Sequence, residues 1–396
     1  MEKVCFDYSM KDIPIPPLKA YKINLLDKIE SVLKRMRWKA LFYLNPSDES
    51  RAGKFNLKSR KCPPPIYELK PFEDDMFKLV ENLKFQKVIN SFEDKLKCDV
   101  KKVNSSDKVL VFSEKSRNVY ELDKTQYEKL LRENITKSYR KADKQFVNSV
   151  NQELNNIATK LDIGDRIKST ARQQAFISLK DHKENFQNNP KCRPLNPAKN
   201  NLGLISKQIL DRINGCIRSQ TNVNQWRNTH YIIDWFSAIQ NKSQCTFLIF
   251  DIVDFYPSIS EALLRLSLYY TKQFTTVSDE DEEIILHSRK TLLFNDNEPW
   301  VKAGDPTMFD AAMGSYGSTE VCELVQVGLY ILHKLTTAFP SGNIGLYRDD
   351  GMAAFRNTSA RSLDKARKIF SQILRELGLK VTAHSNLKIV NCLDVK

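Results

Sequence analysis

Two short acidic clusters hold the residue types best suited to chemistry in this chain. The first is Phe250-Asp251-Ile252-Val253-Asp254-Phe255-Tyr256-Pro257-Ser258-Ile259. Asp251 follows the apolar run Cys245-Thr246-Phe247-Leu248-Ile249-Phe250 and so ends a buried strand. An ionised carboxylate is costly there unless a cation or a hydrogen-bonding partner neutralises it. The second cluster is Leu346-Tyr347-Arg348-Asp349-Asp350-Gly351, set between Ile344-Gly345-Leu346 and Met352-Ala353-Ala354-Phe355. Two apolar runs around an acidic tip predict a β-hairpin, with strand alternation sending Asp349 and Asp350 in different directions. One of the two then shares a site with Asp251 while the other supports it. Carboxylates gathered at strand ends repel one another, and a hard divalent cation bound by a few carboxylates and phosphate oxygens resolves that repulsion. The expected chemistry is transfer at phosphorus, with two ions roughly 3.5–4 Å apart serving the attacking and leaving oxygens. Taken singly, each cluster also fits an ordinary acidic turn or a helix N-cap.

These carboxylates depend on the elements that hold them. Around the first cluster, a strand over 246–250 runs into Asp251 and a helix over 261–273 follows. Around the second, a helix over 319–335 precedes the strand–turn–strand 345–355, and a helix over 362–377 and a strand over 380–383 come after it. Upstream, Phe176-Ile177-Ser178-Leu179 reads as a strand. It leads to Lys180-Asp181-His182-Lys183, an Asn-rich loop, and Lys191-Cys192-Arg193-Pro194-Leu195. Helices are expected over 204–218 and 231–240. Val109-Leu110-Val111-Phe112 and Val119-Tyr120-Glu121-Leu122 flank a turn, a hairpin pattern with two basic residues in its connection. Residues 124–161 are mostly helical, with an interruption near Asn134 and a break at Gly164-Asp165. Nearer the N-terminus, Leu25, Leu26, Ile29, Val32 and Leu33 recur at helical spacing, 45–65 is loop-like, and 72–96 is amphipathic helix. Lys54, Lys58, Arg60 and Lys61 in that loop are read as solvated rather than phosphate-bound.

The 396 residues carry 62 Lys and Arg against 48 Asp and Glu, a net charge of +14 and a pI near 9.2. That balance points to a polyanionic partner and says nothing of the fold. The length implies two or three compact units. With 41% hydrophobic and 10% aromatic residues the chain can build a core, which excludes wholesale disorder. No apolar run approaches the ~20 residues of a membrane span, so no membrane partner is expected. Met-Glu-Lys-Val-Cys-Phe-Asp at the start lacks the apolar stretch of a signal peptide. The eight cysteines include no C-x-x-C pair and no zinc-like spacing with His. Reduced thiols in an intracellular protein are expected, with nucleus and cytoplasm undistinguished. G-x-x-x-x-G-K-[ST] is absent, which argues against a P-loop.

In their order, these motifs resemble the palm of a reverse transcriptase, and within that class the Penelope-like retroelement polymerases. Asp251 through Ile259 fits D-x-x-x-[x]-[FY]-x-x-[IV], and Tyr347-Arg348-Asp349-Asp350 fits [FY]-x-D-D. Between them Met313-Gly314-Ser315-Tyr316-Gly317-Ser318 stands where the family has a Gly-Ser motif leading into a helix. Leu179-Lys180-Asp181-His182-Lys183 resembles K-x-H-K, and Arg193-Pro194-Leu195 resembles R-P-I. Cys392-Leu393-Asp394-Val395 resembles F-L-D-V, and Glu114-Lys115 an upstream D-K turn with Glu for Asp. The match runs from about Val109 to the C-terminus.

The resemblance implies an α+β fold: right-hand fingers and palm with an antiparallel palm sheet over residues 101–396, and an α-helical extension over 1–100. It implies an RNA-directed DNA polymerase that joins a dNTP to a primer 3′-hydroxyl. RNA template and DNA primer would be its partners, and two Mg²⁺ (or Mn²⁺) ions its cofactors. Asp251 and Asp349 would hold both ions, with Asp350 nearby and the Ile252 backbone carbonyl as a further ligand. Tyr256 would block a ribose 2′-hydroxyl. Arg193 and Lys180 would grip the triphosphate, Arg through paired hydrogen bonds. Gly314 would let the backbone approach the base. Lys183 and Tyr347 would contact nucleic acid, His182 would be a structural hydrogen-bonder, and Lys388 would protonate pyrophosphate. Three positions depart from the family: Arg348 where an apolar residue is usual beside the primer end, Met313 for a frequent polar residue, and Thr319 for a frequent Pro. Little sequence remains for a thumb and none for a linked nuclease. The alternative is therefore a truncated, catalytically inactive relic that binds nucleic acid, and a third reading is a metal-dependent nuclease using the same carboxylates. The oligomeric state stays open.

Overall fold

The computed structural model describes residues 2–4, 22–45, 55, 57, 61–84, 95, 98, 101, 105, 107–116, 118–167, 172–197, 200–221, 223–304, 309–327, 330–340 and 342–392. Lys54, Lys58, Arg60, part of the expected helix over 72–96 and Leu393-Asp394-Val395 lie outside them. The chain folds as two compact units, Met1–Asn134 with Ile177–Arg193, and Ile135–Phe176 with Pro194–Lys396.

In the first unit the expected hairpin forms. Lys108–Phe112 pairs with Val119–Asp123, and Glu2–Val4 adds a third antiparallel strand on the other side of Val119–Asp123. Helices Lys22–Leu44 and Lys70–Asn82 pack through Ile29, Leu33 and Val80. Arg37 donates to both carboxylate oxygens of Glu73, at 2.6 and 2.8 Å, a bidentate pair that fixes the two helices in register.

The second unit is built on a five-stranded sheet in the order Lys380–Leu387, Cys245–Val253, Asp350–Arg356, Asn343–Tyr347, Asn224–Gln225. The first four strands are antiparallel, and the short fifth runs parallel to its neighbour. Both faces are covered, which is why Cys245–Val253 is apolar almost throughout. On one face Phe250 meets Phe370 of helix Ala360–Glu376 edge-on at 5.5 Å. On the other, Cys245, Phe247, Met352 and Ala354 pack against Trp226 and against Ile232 and Trp235 of helix Thr229–Ala238. Gly351 is demanded by the first face, because a Cβ there would sit 2.1 Å from the Phe250 ring.

A second sheet, Tyr139–Lys141, Glu298–Lys302 and Leu293–Asn295, explains where the helical pattern of 124–161 breaks. The helix Lys124–Ser138 continues past Asn134 and ends where Tyr139–Lys141 pairs with Glu298–Lys302. Asp143 then caps helix Lys144–Lys160, accepting from the Phe146 N–H at 2.6 Å. The expected helix over 319–335 is two helices, Ser318–Val327 and Tyr330–Ala338. The first of these packs on helix Asn201–Gln220, as does Asp279–His287. Among the described residues no helix is long and apolar enough to cross a membrane.

Candidate active site

Strand register brings the two acidic clusters together. Asp251 and Asp350 are partners across the antiparallel pair, as are Phe250 and Gly351 one step back. Partners in register project to the same face. Phe250 and Gly351 face helix Ala360–Glu376, so Asp251 and Asp350 face the opposite way. They continue the row formed by Phe247, Met352 and Ala354 past the end of the tryptophan cluster. Both carboxylates are half-buried.

Of the two adjacent carboxylates it is Asp350 that shares a face with Asp251, while Asp349 lies in the turn. Strand Asn343–Tyr347 stops before Arg348, Arg348 and Asp349 make the turn, and Asp350 opens the return strand. Arg348 adopts a left-handed φ of +52°. The Asp349 carbonyl accepts from the Ile252 N–H at 2.9 Å. That bond carries the ladder one step beyond the strand and pins the turn to the residue after Asp251. Asp251, Ile252, Asp349 and Asp350 thus share one corner of the sheet. Tyr347, partner of Asp350, packs against the tryptophan cluster, and the Arg348 guanidinium lies 5.3 Å over its ring.

No three His, Cys, Asp or Glu side chains among the described residues converge closely enough to hold an ion unaided. The corner offers two facing carboxylates, a third at the turn, and backbone carbonyls. That hard-oxygen set fits Mg²⁺, which takes one or two carboxylates and leaves its other positions to water and substrate phosphate.

Tyr256 is buried in the short helix Phe255–Ser258. Burial pushes its hydroxyl well above the ordinary phenol range; Cys322 and Asp349 add to the rise, while Arg348 and a hydrogen bond with Thr319 oppose it. The phenol is therefore held among the start of helix Ser318–Val327 and the Arg348–Asp349 turn. Gly314 has φ +97°, and a Cβ there would lie 2.7 Å from the Asn196 carbonyl oxygen, so only glycine fits. Asn196 N–H in turn donates to the Met313 carbonyl at 2.9 Å.

A residue that sequence reasoning missed braces this turn from behind. Arg289 is fully buried and donates to the Tyr316 carbonyl and, at 2.8 Å, to Ser318 Oγ. Burial lowers its pKa to about 10, against the opposing pull of Asp310. Asp310 is itself buried, which pushes its carboxyl up, and it accepts from the Tyr139 hydroxyl at 2.7 Å. The only trace in the sequence was a cation between two apolar runs, Ile284-Ile285-Leu286 and Leu292-Leu293-Phe294.

Lys180, Lys183 and Arg193 belong to the first unit. Arg193 is ion-paired with Glu114, uniting two of the sequence motifs. Lys180 is half-buried and Lys183 exposed. The organiser of this region is Asp181. Its Oδ2 accepts from Ser116 Oγ, Asn118 Nδ2 at 2.9 Å and the Tyr120 hydroxyl at 3.0 Å, tying the 180-loop to the hairpin. His182 is held below its ordinary value by partial burial and by the charges of Lys115 and Lys183. Lys388 lies away from the carboxylates. Its Nζ donates to the Cys245 carbonyl at 3.1 Å and to Thr246 Oγ1 at 3.0 Å. Those atoms are at the opposite end of the strand from Asp251, ~17 Å along it at ~3.3 Å per residue. A part for Lys388 at pyrophosphate does not suit that placement.

No protein-family model and no curated protein matches the chain. Among solved structures, an apo telomerase of Candida tropicalis truncated from its C-terminal domain is similar over 91% of this chain and 84% of its own, at 12% identity and a TM-score of 0.50. Another apo telomerase structure from that organism covers 92% and 72%, at 12% identity and 0.49. The RNA-dependent RNA polymerase of a human picobirnavirus covers 86% and 72%, at 13% identity and 0.42. At such identities the likeness speaks for the fold: a right-hand polymerase fold of the reverse-transcriptase-like kind.

Proposed function

We infer that this chain is an RNA-directed DNA polymerase of the retroelement type, resembling Penelope-like elements, with Asp251, Asp349 and Asp350 as its catalytic corner. The observation that carries this reading is the pairing of Asp251 with Asp350, closed by the Asp349–Ile252 backbone bond, on a polymerase fold. Two Mg²⁺ or Mn²⁺ ions, when bound by these carboxylates and the Ile252 carbonyl, supply activation of the primer 3′-hydroxyl and neutralisation of the leaving pyrophosphate. The chain's own residues position and select. Tyr256, fixed by burial, excludes a ribose 2′-hydroxyl, and Gly314, braced through its turn by Arg289, lies against the base. Lys180 and Arg193 serve the triphosphate, and Lys183 and Tyr347 the nucleic acid. Residues 1–100 are an extension to the fingers and palm.

Primer extension on an RNA template, with dNTPs and rNTPs compared, tests the reading. The expected result is dNTP incorporation, lost in Asp251→Ala and Asp349→Ala, with Tyr256→Val admitting rNTPs. Extension that survives Asp251→Ala would refute the assignment. One observation favours the inactive-relic reading. Arg348 sets an exposed cation at the hairpin turn, beside the place a divalent ion must occupy. That reading predicts duplex binding without extension, and recovery of extension in Arg348→Met.

A further inference from the structure

Tyr256, the residue assigned to the sugar, stands on a helix too short to hold itself. Phe255–Ser258 is a single turn, and one turn alone does not offset the entropy of ordering its residues. The backbone enters it under strain, because Asp254 takes a left-handed φ of +50°, uncommon for a residue other than glycine. Ser258 N–H donates to the Asp254 carbonyl at 3.1 Å, Ser258 Oγ to the same carbonyl at 2.8 Å, and Ile259 N–H to the Tyr256 carbonyl at 3.4 Å. The Pro257 carbonyl is one of those that a helix end leaves without a partner in its own backbone. Lys302 supplies that partner, its Nζ donating to the Pro257 carbonyl. Lys302 is half-buried and has no carboxylate at ion-pairing distance among the described residues.

The strand that carries Lys302 is itself held in place. Lys302 ends strand Glu298–Lys302 opposite Tyr139, and Ala303 N–H donates to the Ser138 carbonyl at 2.8 Å. The Tyr139 hydroxyl donates to the buried Asp310 at 2.7 Å, and the Asp310 N–H donates to the Arg289 carbonyl at 2.8 Å. Arg289 in turn holds Tyr316 and Ser318. The next residue, Thr319, bonds with the Tyr256 hydroxyl. Tyr256 is thus held at both ends, its ring tip from helix Ser318–Val327 and its backbone from Lys302.

We propose that Lys302 is a positioning residue for sugar selection. By holding the Pro257 carbonyl it fixes how far the Tyr256 ring stands into the path of a ribose 2′-hydroxyl. It acts through the backbone of the Tyr256 helix and not by touching the substrate. This role rests on the polymerase reading, which supplies the substrate, a nucleoside triphosphate; the hold of Lys302 on the helix does not. A ring released at its backbone pivots about its hydroxyl, so loss of Lys302 relaxes the exclusion of the 2′-hydroxyl while the carboxylate corner keeps its own bonds.

The test uses the full chain in primer extension on an RNA template with an annealed DNA primer, reading kcat and KM for a dNTP and for the matching rNTP. Lys302→Met keeps the aliphatic stem and removes the donor. With unchanged thermal melting and unchanged kcat/KM for the dNTP, it should lower the preference for dNTP over rNTP about fivefold, the worth of one net hydrogen bond. Lys302→Arg, which keeps a cationic donor, should restore most of that preference. In a Tyr256→Val background, where the ring is gone, Lys302→Met should have no further effect on the preference, a non-additivity that a general loosening of the fold would not give. A second readout needs no turnover. In fluorotyrosine-labelled protein, the fluorine resonance assigned by Tyr256→Phe should shift in Lys302→Met and return in Lys302→Arg. An unmoved resonance, a wild-type preference in Lys302→Met, or an equal drop in the Tyr256→Val background would overturn the proposal. Extension with dNTPs by wild type separates the two failures. A wild type that extends while Lys302→Met discriminates equally well rejects the role of Lys302 and leaves the polymerase reading standing. A wild type that never extends, even as the resonance shifts, rejects the polymerase reading and the sugar-selection role with it.

Discussion

The facing carboxylates make a stability prediction that is independent of turnover. Asp251 and Asp350 are register partners, which sets their Cβ atoms ~4.5–5.5 Å apart. Two like charges ~5 Å apart repel by ~3 kcal/mol at an effective dielectric of 20 and by ~1 kcal/mol in bulk water. Both side chains are half-buried, so the repulsion lies between those limits. Asp350→Asn keeps the shape and one acceptor oxygen but removes a charge. Relief of that repulsion by itself favours the variant in EDTA by ~1–3 kcal/mol, worth roughly 2–4 °C of Tm per kcal/mol for a unit of this size. Adding Mn²⁺ or Mg²⁺ should raise the wild-type Tm and narrow the gap, because binding to the folded state stabilises by mass action. Thermal melting by circular dichroism, in EDTA and across an ion titration, reads both effects. A variant no more stable than wild type in EDTA, or one that responds to the ions as strongly as wild type, would refute the reasoning.

Other perturbations probe the frame around the corner. Gly351→Ala drives a Cβ to 2.1 Å from the Phe250 ring, itself wedged against Phe370; urea denaturation should show a loss of ~1–3 kcal/mol. Burial holds His287 below its ordinary 6.5, despite Glu153 at 3.1 Å. The unfolded chain therefore takes up that proton first as pH falls. Stability should decline from about pH 6.5 downward until the folded imidazole also protonates. His287→Gln should flatten that part of the urea-midpoint profile, and identical slopes between pH 7 and 5 would clear His287 of the effect. Lys388→Met should cost ~1 kcal/mol through its bonds to Cys245 and Thr246 and leave the extension rate unchanged. A drop in rate at unaltered stability would return Lys388 to the chemistry.

Much of the palm was legible because its elements are strongly patterned. The apolar run ending in Asp251, the hairpin around Asp349-Asp350 and the amphipathic helix after it all appear where alternation and helical spacing place them. The turn was misjudged by one residue. The position of the tip depends on Arg348 taking a left-handed φ and on the Asp349–Ile252 bond, and neither leaves a mark in apolar periodicity. Helix Asp279–His287 and the hairpin Leu293–Asn295/Glu298–Lys302 were not anticipated, although Ser278 and Asp281 form a capping box. Arg289 and Asp181 were hidden for a related reason. A wholly or partly buried charge is recognised by the partners that surround it, and those come from distant parts of the chain: Tyr316 and Ser318 for the buried Arg289, Ser116, Asn118 and Tyr120 for the half-buried Asp181. Lys388 shows the opposite limit, since motif order gave it a role that the length of one strand removes.

The most direct test of the proposed catalytic corner is extension of a DNA primer annealed to an RNA template, in Mg²⁺ and in Mn²⁺, by wild type and Asp251→Asn matched for thermal stability and duplex affinity. The account predicts that wild type adds dNTPs in an ion-dependent way and that Asp251→Asn, though folded and bound to the duplex, does not. Equal extension by the two proteins, or none by a folded, duplex-bound wild type in either ion, would contradict it.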